Sequence, residues 1–599
     1  MSYTAPIKDM LFVMHELAGL KAIQQLPGCE EATDETVQAV LEENARFMGE
    51  VVAPLNWSGD TQPGGWSDGN VTTSPGFRAA FRSFVEAGWQ GIQHPSEFGG
   101  QGLPKVVSAA CMEMMQAANL SFALCPLLTD GAIEALLVAG SDEQKDAYIP
   151  RLIDGSWTGT MNLTEPQAGS DLSQVRARAV PQADGSYRIF GQKIFITYGD
   201  HDLAENIVHL VLARTPNAPE GVKGISLFIV PKFMFGVDGK LGQRNDVYCA
   251  SIEHKLGIKA SPTCVLIYGD DKGAVGPGAI GYLIGEENRG LEYMFVMMNA
   301  ARFQVGMQGI AVSDRAYQKA AAYAKDRVQS RAVEGSSGPV PIIQHPDVRR
   351  MLMFMRSNTE AARAIAYVAA GHFDLAHHHP DAAVRKQAQA AYEYLIPIVK
   401  GWSTETSIDI ASTGVQVHGG MGFIEETGAA QFYRDARILT IYEGTTAIQA
   451  NDLVGRKTSR DGGATARWFM DQMRATAGEL ARAGGDHAAI AERLAAAVEA
   501  YESVVDFVVA QFRSDIRSVF AGSVPYLKLA GIVHGGWQLA RSALAAQRLI
   551  ADGRDVAFAQ AKIATARYFA DHMLVTAPGL ATSIVSGSAG TLALAAEQF

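Results

Sequence analysis

A lone carboxylate stands in Ile441-Tyr442-Glu443-Gly444-Thr445-Thr446, with apolar residues before it and hydroxyls after it. An apolar setting disfavours the charged form of a carboxyl and raises its pKa toward that of a useful proton-abstracting base. The same position also suits a Glu at a helix start, satisfied by backbone donors. Three more segments carry residue types that can hold a ligand. MNLTEPQAGSDL (161–172) is an apolar lead and then a polar turn with Gly169 and Ser170. The N–H groups and hydroxyls of such a turn can bind a phosphate or a cofactor edge. GQKIFITYGD (191–200) places Phe195, Ile196 and Thr197 on a strand. VQVHGGMGFIEE (415–426) closes a helix with paired glycines, which allow close backbone approach. Taken singly, the first of these three is an ordinary turn and the second a core strand.

Two other patterns look chemical and are not. Gly276-Pro-Gly278-Ala-Ile-Gly281 satisfies G-x-G-x-x-G, but a strand-like run follows where a dinucleotide fingerprint needs a helix. It reads as a hairpin loop. His377-His378-His379 precede Pro380, and successive helical residues point in different directions, so they cannot converge on one metal ion. No other His pattern suggests a metal site.

The elements that must position these residues change in texture along the chain. Residues 36–158 read as mostly helical. Ser74 and Pro75 suit a helix start before Phe77, Ala80, Phe81 and Phe84, and Ser141 with Gln144 has capping-box spacing. From 159 to 284 short β-branched and aromatic runs (187–197, 207–214, 225–232, 264–270) alternate with turn residues, an all-β module made antiparallel by short connections. Helical spacing returns at 291–327, 346–379 and 381–417. After a linker at Asp461-Gly-Gly-Ala464, an Ala-rich helical tail is broken at Gly484-Gly485, Pro525 and Gly535-Gly536. Whether that tail packs on its own chain or on a partner is open at this level.

Composition narrows the function. The 599 residues suggest about four domain-sized units. A net charge of −12, with 51 basic and 63 acidic residues, is a poor fit to nucleic acid or anionic membrane. Five scattered Cys fit a reducing, cytoplasmic setting. No signal peptide or transmembrane segment is expected, and the uncharged stretch between Asp571 and Glu597 reads as a Gly-kinked packed tail.

In order and spacing, TEPQAGSD (164–171), GQKIFIT (191–197), HKLGIKAS (254–261), AARFQVGMQGIA (300–311), QVHGGMGF (416–423) and IYEGTTAIQ (441–449) resemble the acyl-CoA dehydrogenase family of flavoproteins. The resemblance covers residues 40–460. It implies an α+β fold with an N-terminal extension (1–35), an N-terminal helical domain (36–158) and a middle antiparallel β-barrel-like domain (159–284). A C-terminal helical bundle (285–460) and an extra helical domain (465–599) complete it. The extra length looks like the ~600-residue bacterial branch, which includes 3-methylmercaptopropionyl-CoA dehydrogenases and some long-chain enzymes.

The resemblance also implies FAD. Met161, Leu163, Thr164, Gly169 and Ser170 would line one edge of the isoalloxazine, and Phe195, Ile196 and Thr197 the other. Many members carry Trp where Phe195 stands. Arg327 matches the arginine on the FAD pyrophosphate. Gln344 corresponds to a partner-facing cofactor contact. Gln416, Gly419 and Gly420 match backbone contacts from the other subunit, and Thr445 a phosphate contact. Ser170, Arg302 and Gly444 match acyl-CoA contacts. RVQSR (327–331) departs from the family's RxxFG, with Ser330 and Arg331 in place of Phe-Gly. The implied reaction is α,β-dehydrogenation of an acyl-CoA to the trans-2-enoyl-CoA, with Glu443 as base and an electron-transfer flavoprotein as acceptor. The implied assembly is a homo-oligomer, a dimer before a tetramer. The alternatives are an acyl-CoA oxidase, which shares base and flavin, and a DNA-binding alkylation-response flavoprotein. The second needs a basic tail, whereas residues 464–599 carry twelve basic and twelve acidic side chains.

Overall fold

In the computed structural model, which describes residues 3–236 and 238–599, the chain divides into two units. One comprises Met1–Thr4, Asn44–Leu103 and Met114–Gln304, the other Ala5–Glu43, Pro104–Glu113 and Val305–Phe599.

The first unit combines helices with the β module. Helix Asp142–Ile153 opens with the expected reciprocal cap, the Gln144 N–H donating to Ser141 Oγ (3.2 Å) and the Ser141 N–H to Gln144 Oε1 (3.1 Å). Helix Phe77–Glu86 starts later than Ser74-Pro75 suggests, because Gly76 takes φ +88° and interrupts the helical path. Its apolar face meets Phe122, with ring centroids 5.7–6.4 Å apart. Phe122 lies on helix Leu120–Ala139, capped by Asn119. Among the described residues this is the one helix long and apolar enough to cross a membrane, and 78% of its apolar window is buried in the protein. A hairpin of β1 (Gly65–Ser67) and β2 (Asn70–Thr72) interrupts the region read as helical.

The remaining strands are β3 (Trp157–Asn162), β4 (Arg178–Pro181), β5 (Tyr187–Thr197), β6 (Asn206–Ala213), β7 (Ser226–Pro231), β8 (Phe233–Phe235), β9 (Leu241–Arg244), β10 (Val247–Ile252), β11 (Thr263–Tyr268) and β12 (Ala279–Ile284). Eight of them form one sheet in the order β10-β11-β5-β12-β7-β6-β3, with β4 on β5. The expectation of a wholly antiparallel module is corrected at one pair. β3 runs parallel to β6, Thr160 opposite His209. A parallel pair needs a crossover. Here β4 and β5 supply it in place of a helix. The glycine-rich run 276–281 does lead into a strand, β12. It is not a hairpin loop, however, because β11 and β12 flank β5 and do not pair with each other. The buried Asp246 carboxylate organises that loop, accepting the N–H groups of Asp271, Lys272, Gly273 and Gly278 at 2.8–3.2 Å.

The second unit is helical. Helices Pro346–His378 and Ala382–His418 match the periodicity, and the first ends within the His triplet as expected. In the tail, Gly484 separates Ala464–Ala483 from Gly485–Gln511, but Gly535-Gly536 break nothing. They lie inside helix Ser523–Ala551, where Pro525 occupies the first turn. The glycines of that helix serve close packing: a Cβ on Gly531 would fall 2.1 Å from Trp402 Cγ. The tail therefore packs on helix 382–418 of its own chain. A buried ionic cluster joins it to the N-terminal helix Ile7–Glu16. Lys562 pairs with Asp9 (2.6 Å) and Glu360 (2.7 Å), and Arg363 with Asp9 (2.8 Å) and Glu113 (2.6 Å). All five Cys are free and buried.

Candidate active site

In the first unit the two motif segments are tied together. β5 carries Ile194 and Phe195 where β11 has Val265 alone, a bulge between the pairs Lys193–Leu266 and Ile196–Cys264. Phe195 takes φ +58° and is 59% exposed. A bulky residue in the left-handed region is strained, and such strain concentrates at ligand-holding positions. Ile196 turns into the sheet core, so its backbone alone faces the other way. Thr197 is half-buried opposite Thr263.

The turn beside this strand is fixed by hydrogen bonds. Thr164 C=O accepts the Ile194 N–H (2.9 Å), and Glu165 and Ala168 exchange both backbone bonds (2.9 and 3.0 Å). Beneath them lies a buried ion pair, Lys193 Nζ to Glu165 Oε1 at 2.8 Å. Lys193 also donates to Leu163 C=O (3.1 Å), and the Glu165 carboxylate accepts the N–H groups of Arg176 (2.7 Å) and Ala177 (3.0 Å). Burial lowers Lys193 to about 8; burial alone would raise Glu165, but Lys193 and the N–H donors hold it below its ordinary value. Sequence reasoning passed over both residues. Their signal was charge of opposite sign inside the two motifs. Met161 and Thr164 are half-buried, Leu163 is buried, and Gly169 and Ser170 are exposed with open space over Gly169. An exposed, strained aromatic ring beside an open glycine–serine turn fits a flat ring system bearing polar edges, as a flavin does. Arg302 is buried on helix Gly290–Asp326, its guanidinium 6.0 Å from the Phe295 ring.

In the second unit, Glu443 lies between helices Ala429–Leu439 and Thr446–Asp452. Thr445 caps the second helix, its Oγ accepting the Ile448 N–H (3.3 Å). Glu443 (φ +54°) and Gly444 (φ +84°) are successive left-handed residues. Buried Lys400 donates to Gly444 C=O (2.7 Å), and Gln449 Nε2 to the carbonyls of Glu443 (3.2 Å) and Gly444 (3.4 Å). Thr446 donates to the Glu405 carboxylate. The half-buried Glu443 is thus held on a strained turn whose carbonyls are pinned from two helices.

Arg327 is exposed just past helix 290–326, and the chain folds back on it. Ile342 N–H donates to Arg327 C=O (2.8 Å), and Gln329 and Val340 pair at 3.0 Å. This brings Gln344 to the same exposed fold, with Ser330 at φ +61° in the departing segment. Gln416 is exposed near the end of helix 382–418, at a groove of about 460 Å³ lined also by Arg350, Met351, Phe354 and Asp409. Gly419 (φ +60°) and Gly420 follow, exposed and open to close approach, next to an 87%-exposed Phe423.

Four family domains match the chain in order: acyl-CoA dehydrogenase N-terminal domain (34–156), middle domain (160–270), C-terminal domain (288–457), and acetyl-CoA dehydrogenase C-terminal like (469–595). The chain is 56% identical to a 3-methylmercaptopropionyl-CoA dehydrogenase of Ruegeria pomeroyi, over 96% of each chain. It is 35% identical to a broad-specificity linear acyl-CoA dehydrogenase of Mycobacterium tuberculosis, over 96% of this chain and 95% of that one. In fold it is similar to an acyl-CoA dehydrogenase of Bacillus anthracis complexed with FAD, with TM-score 0.72 and 22% identity over 96% and 91% of the two chains. Caenorhabditis elegans ACDH-11, solved with a CoA ligand, has TM-score 0.74 and 19% identity over 96% and 92%.

Proposed function

The chain belongs to the acyl-CoA dehydrogenase family, flavin-dependent oxidoreductases acting on the CH–CH bond of CoA thioesters, and we propose that Glu443 is its catalytic base. The Glu443 carboxylate takes the proton α to the thioester carbonyl. That proton is too weakly acidic for a carboxylate in water. A hydrogen bond from the Glu443 backbone N–H to that carbonyl would stabilise the developing enolate, and water exclusion on substrate binding makes the base stronger. A bound flavin supplies the acceptor for the hydride leaving the β carbon. The observation that carries this reading is the Glu443 turn, a glutamate at φ +54° whose own and following carbonyls accept from Gln449 and Lys400.

The flavin is FAD. The 161–170 turn and Phe195–Thr197 hold its ring, Arg327, Gln344 and Thr445 its phosphates and adenine side, and Gln416, Gly419 and Gly420 reach a second copy's cofactor in a homodimer. Ser170, Arg302 and Gly444 contact the acyl-CoA. The substrate is 3-methylmercaptopropionyl-CoA, supported by the 56% identity to the Ruegeria enzyme, with fatty acyl-CoAs as the next class. An electron-transfer flavoprotein is the acceptor and the cytoplasm the setting. Anaerobic titration of the FAD-loaded protein with a chain-length series of acyl-CoAs, including 3-methylmercaptopropionyl-CoA, tests this. The thioether substrate should bleach the flavin fastest. Faster bleaching by a longer fatty acyl-CoA would overturn the substrate, and stoichiometric peroxide in air would make the enzyme an oxidase.

A further inference from the structure

β3 carries Met161 half-exposed, and its neighbours Thr160 and Asn162 point the other way, fully buried. They belong to a hydrogen-bond chain that crosses the interior of the sheet. Tyr268 Oη on β11 donates to Asn162 Oδ1 (3.0 Å), Asn162 Nδ2 donates to Thr160 Oγ1 (2.9 Å), and Thr160 Oγ1 lies 2.7 Å from His209 Nδ1 on β6. Burial, with Lys232 nearby, lowers His209 to about 3, so the ring is neutral and its Nδ1 shares one hydrogen bond with the Thr160 hydroxyl. The bonds from Tyr268 to Asn162 and from Asn162 to Thr160 run in one sense, an arrangement in which each polarises the next. The chain closes on itself, the Tyr268 ring standing edge-on to His209 with centroids 6.2 Å apart. It joins β11 to β3, which are not neighbours in the sheet, and grips β3 at its last residue, where the chain leaves for the 163–171 turn.

We propose that Tyr268, Asn162, Thr160 and His209 are positioning residues that set the height and tilt of the Met161–Thr164 backbone against the flavin edge. This rests on the assignment of that backbone to the flavin. Loss of one link lets the end of β3 move while the Lys193–Glu165 pair still holds the turn. The affected quantity is then how the flavin is held, before whether it is held.

The test uses FAD-loaded full-length protein and reads flavin affinity, the visible absorption of bound flavin and its midpoint potential. Tyr268→Phe and Thr160→Val should each shift the spectrum and potential of bound flavin in the same direction and weaken FAD binding by no more than about tenfold, the ceiling set by one buried hydrogen bond. Thr160→Ser should restore wild-type values. Tyr248→Phe, which removes a hydroxyl bonded to exposed Asp270, should change nothing. If one variant fails to fold, the other decides. Wild-type spectrum, potential and affinity in Tyr268→Phe and Thr160→Val would overturn the proposal and leave the flavin assignment standing. Wild-type protein that takes up no FAD would overturn both.

Discussion

Glu443 occupies a backbone conformation that a non-glycine residue adopts at a cost of about 1–3 kcal/mol. The neighbouring bonds from Lys400 and Gln449 to the turn carbonyls offset that cost and fix the backbone from which the side chain projects. A base that must meet one particular proton gains from such fixing, because proton transfer falls away with small displacements. Glu443→Gln keeps the shape of the side chain and removes its basicity. Rapid-mixing measurement of flavin reduction by saturating acyl-CoA should show retained FAD and a rate down by about 10²–10⁴-fold. Near-wild-type reduction would remove Glu443 from the mechanism. At the same scale Lys193 and Glu165 show why a buried charge pair can be retained: between them they satisfy one turn carbonyl and two N–H groups.

Among the elements, helix Ser523–Ala551 makes the clearest case. Its Gly531 lies against the Trp402 ring of helix 382–418, so the ring and the helix backbone approach more closely than any Cβ permits. Gly531→Ala should therefore cost about 1–3 kcal/mol by overpacking. Gly579 sits in helix Ala577–Ser586 with open space where its Cβ would go. Gly579→Ala should instead stabilise by about 0.4–1 kcal/mol, through the entropy of the unfolded chain. Denaturant titration of the two variants distinguishes packing from backbone entropy. Equal effects of one sign would contradict the close-packing account.

For the whole molecule, the cluster around Asp9 links the N-terminal helix, helix 346–378 and the tail within the second unit. Burial alone would raise Asp9, but Lys562 and Arg363 outweigh it and hold the carboxyl at about 2, below its ordinary 3.8. A carboxyl with a depressed folded pKa contributes stability that is present above its unfolded pKa and lost as pH falls through the folded one. Asp9→Asn should thus cost about 3–5 kcal/mol near neutral pH, because it leaves Lys562 and Arg363 partly uncompensated. The difference from wild type should shrink between pH 3.8 and about 2. Burial lifts Asp314, beside Arg363, to about 6, so its titration falls in a separate window and opposes that trend. A penalty unchanged down to pH 2 would show that Asp9 is not the linked group.

The sequence by itself determined the long helices, the strands near 187–197, 207–214, 225–232 and 264–270, and the family. Helix periodicity at 346–378 and 382–418, the Ser141 capping box and six ordered motifs all depend on near neighbours along the chain, and local order encodes them directly. It also singled out Glu443 and Phe195 as residue types. Their left-handed backbone was hidden, because nothing in a Glu or a Phe announces positive φ. Tertiary structure alone decided the parallel β3–β6 pair, the pairing of Lys193 with Glu165, the reach of Tyr268 to Asn162 and the unbroken course of helix 523–551 through its glycines. Each of these joins residues far apart in the chain. What fixes them is which side chains lose water together and which partners remain within hydrogen-bonding reach, and that is settled only when the chain has folded.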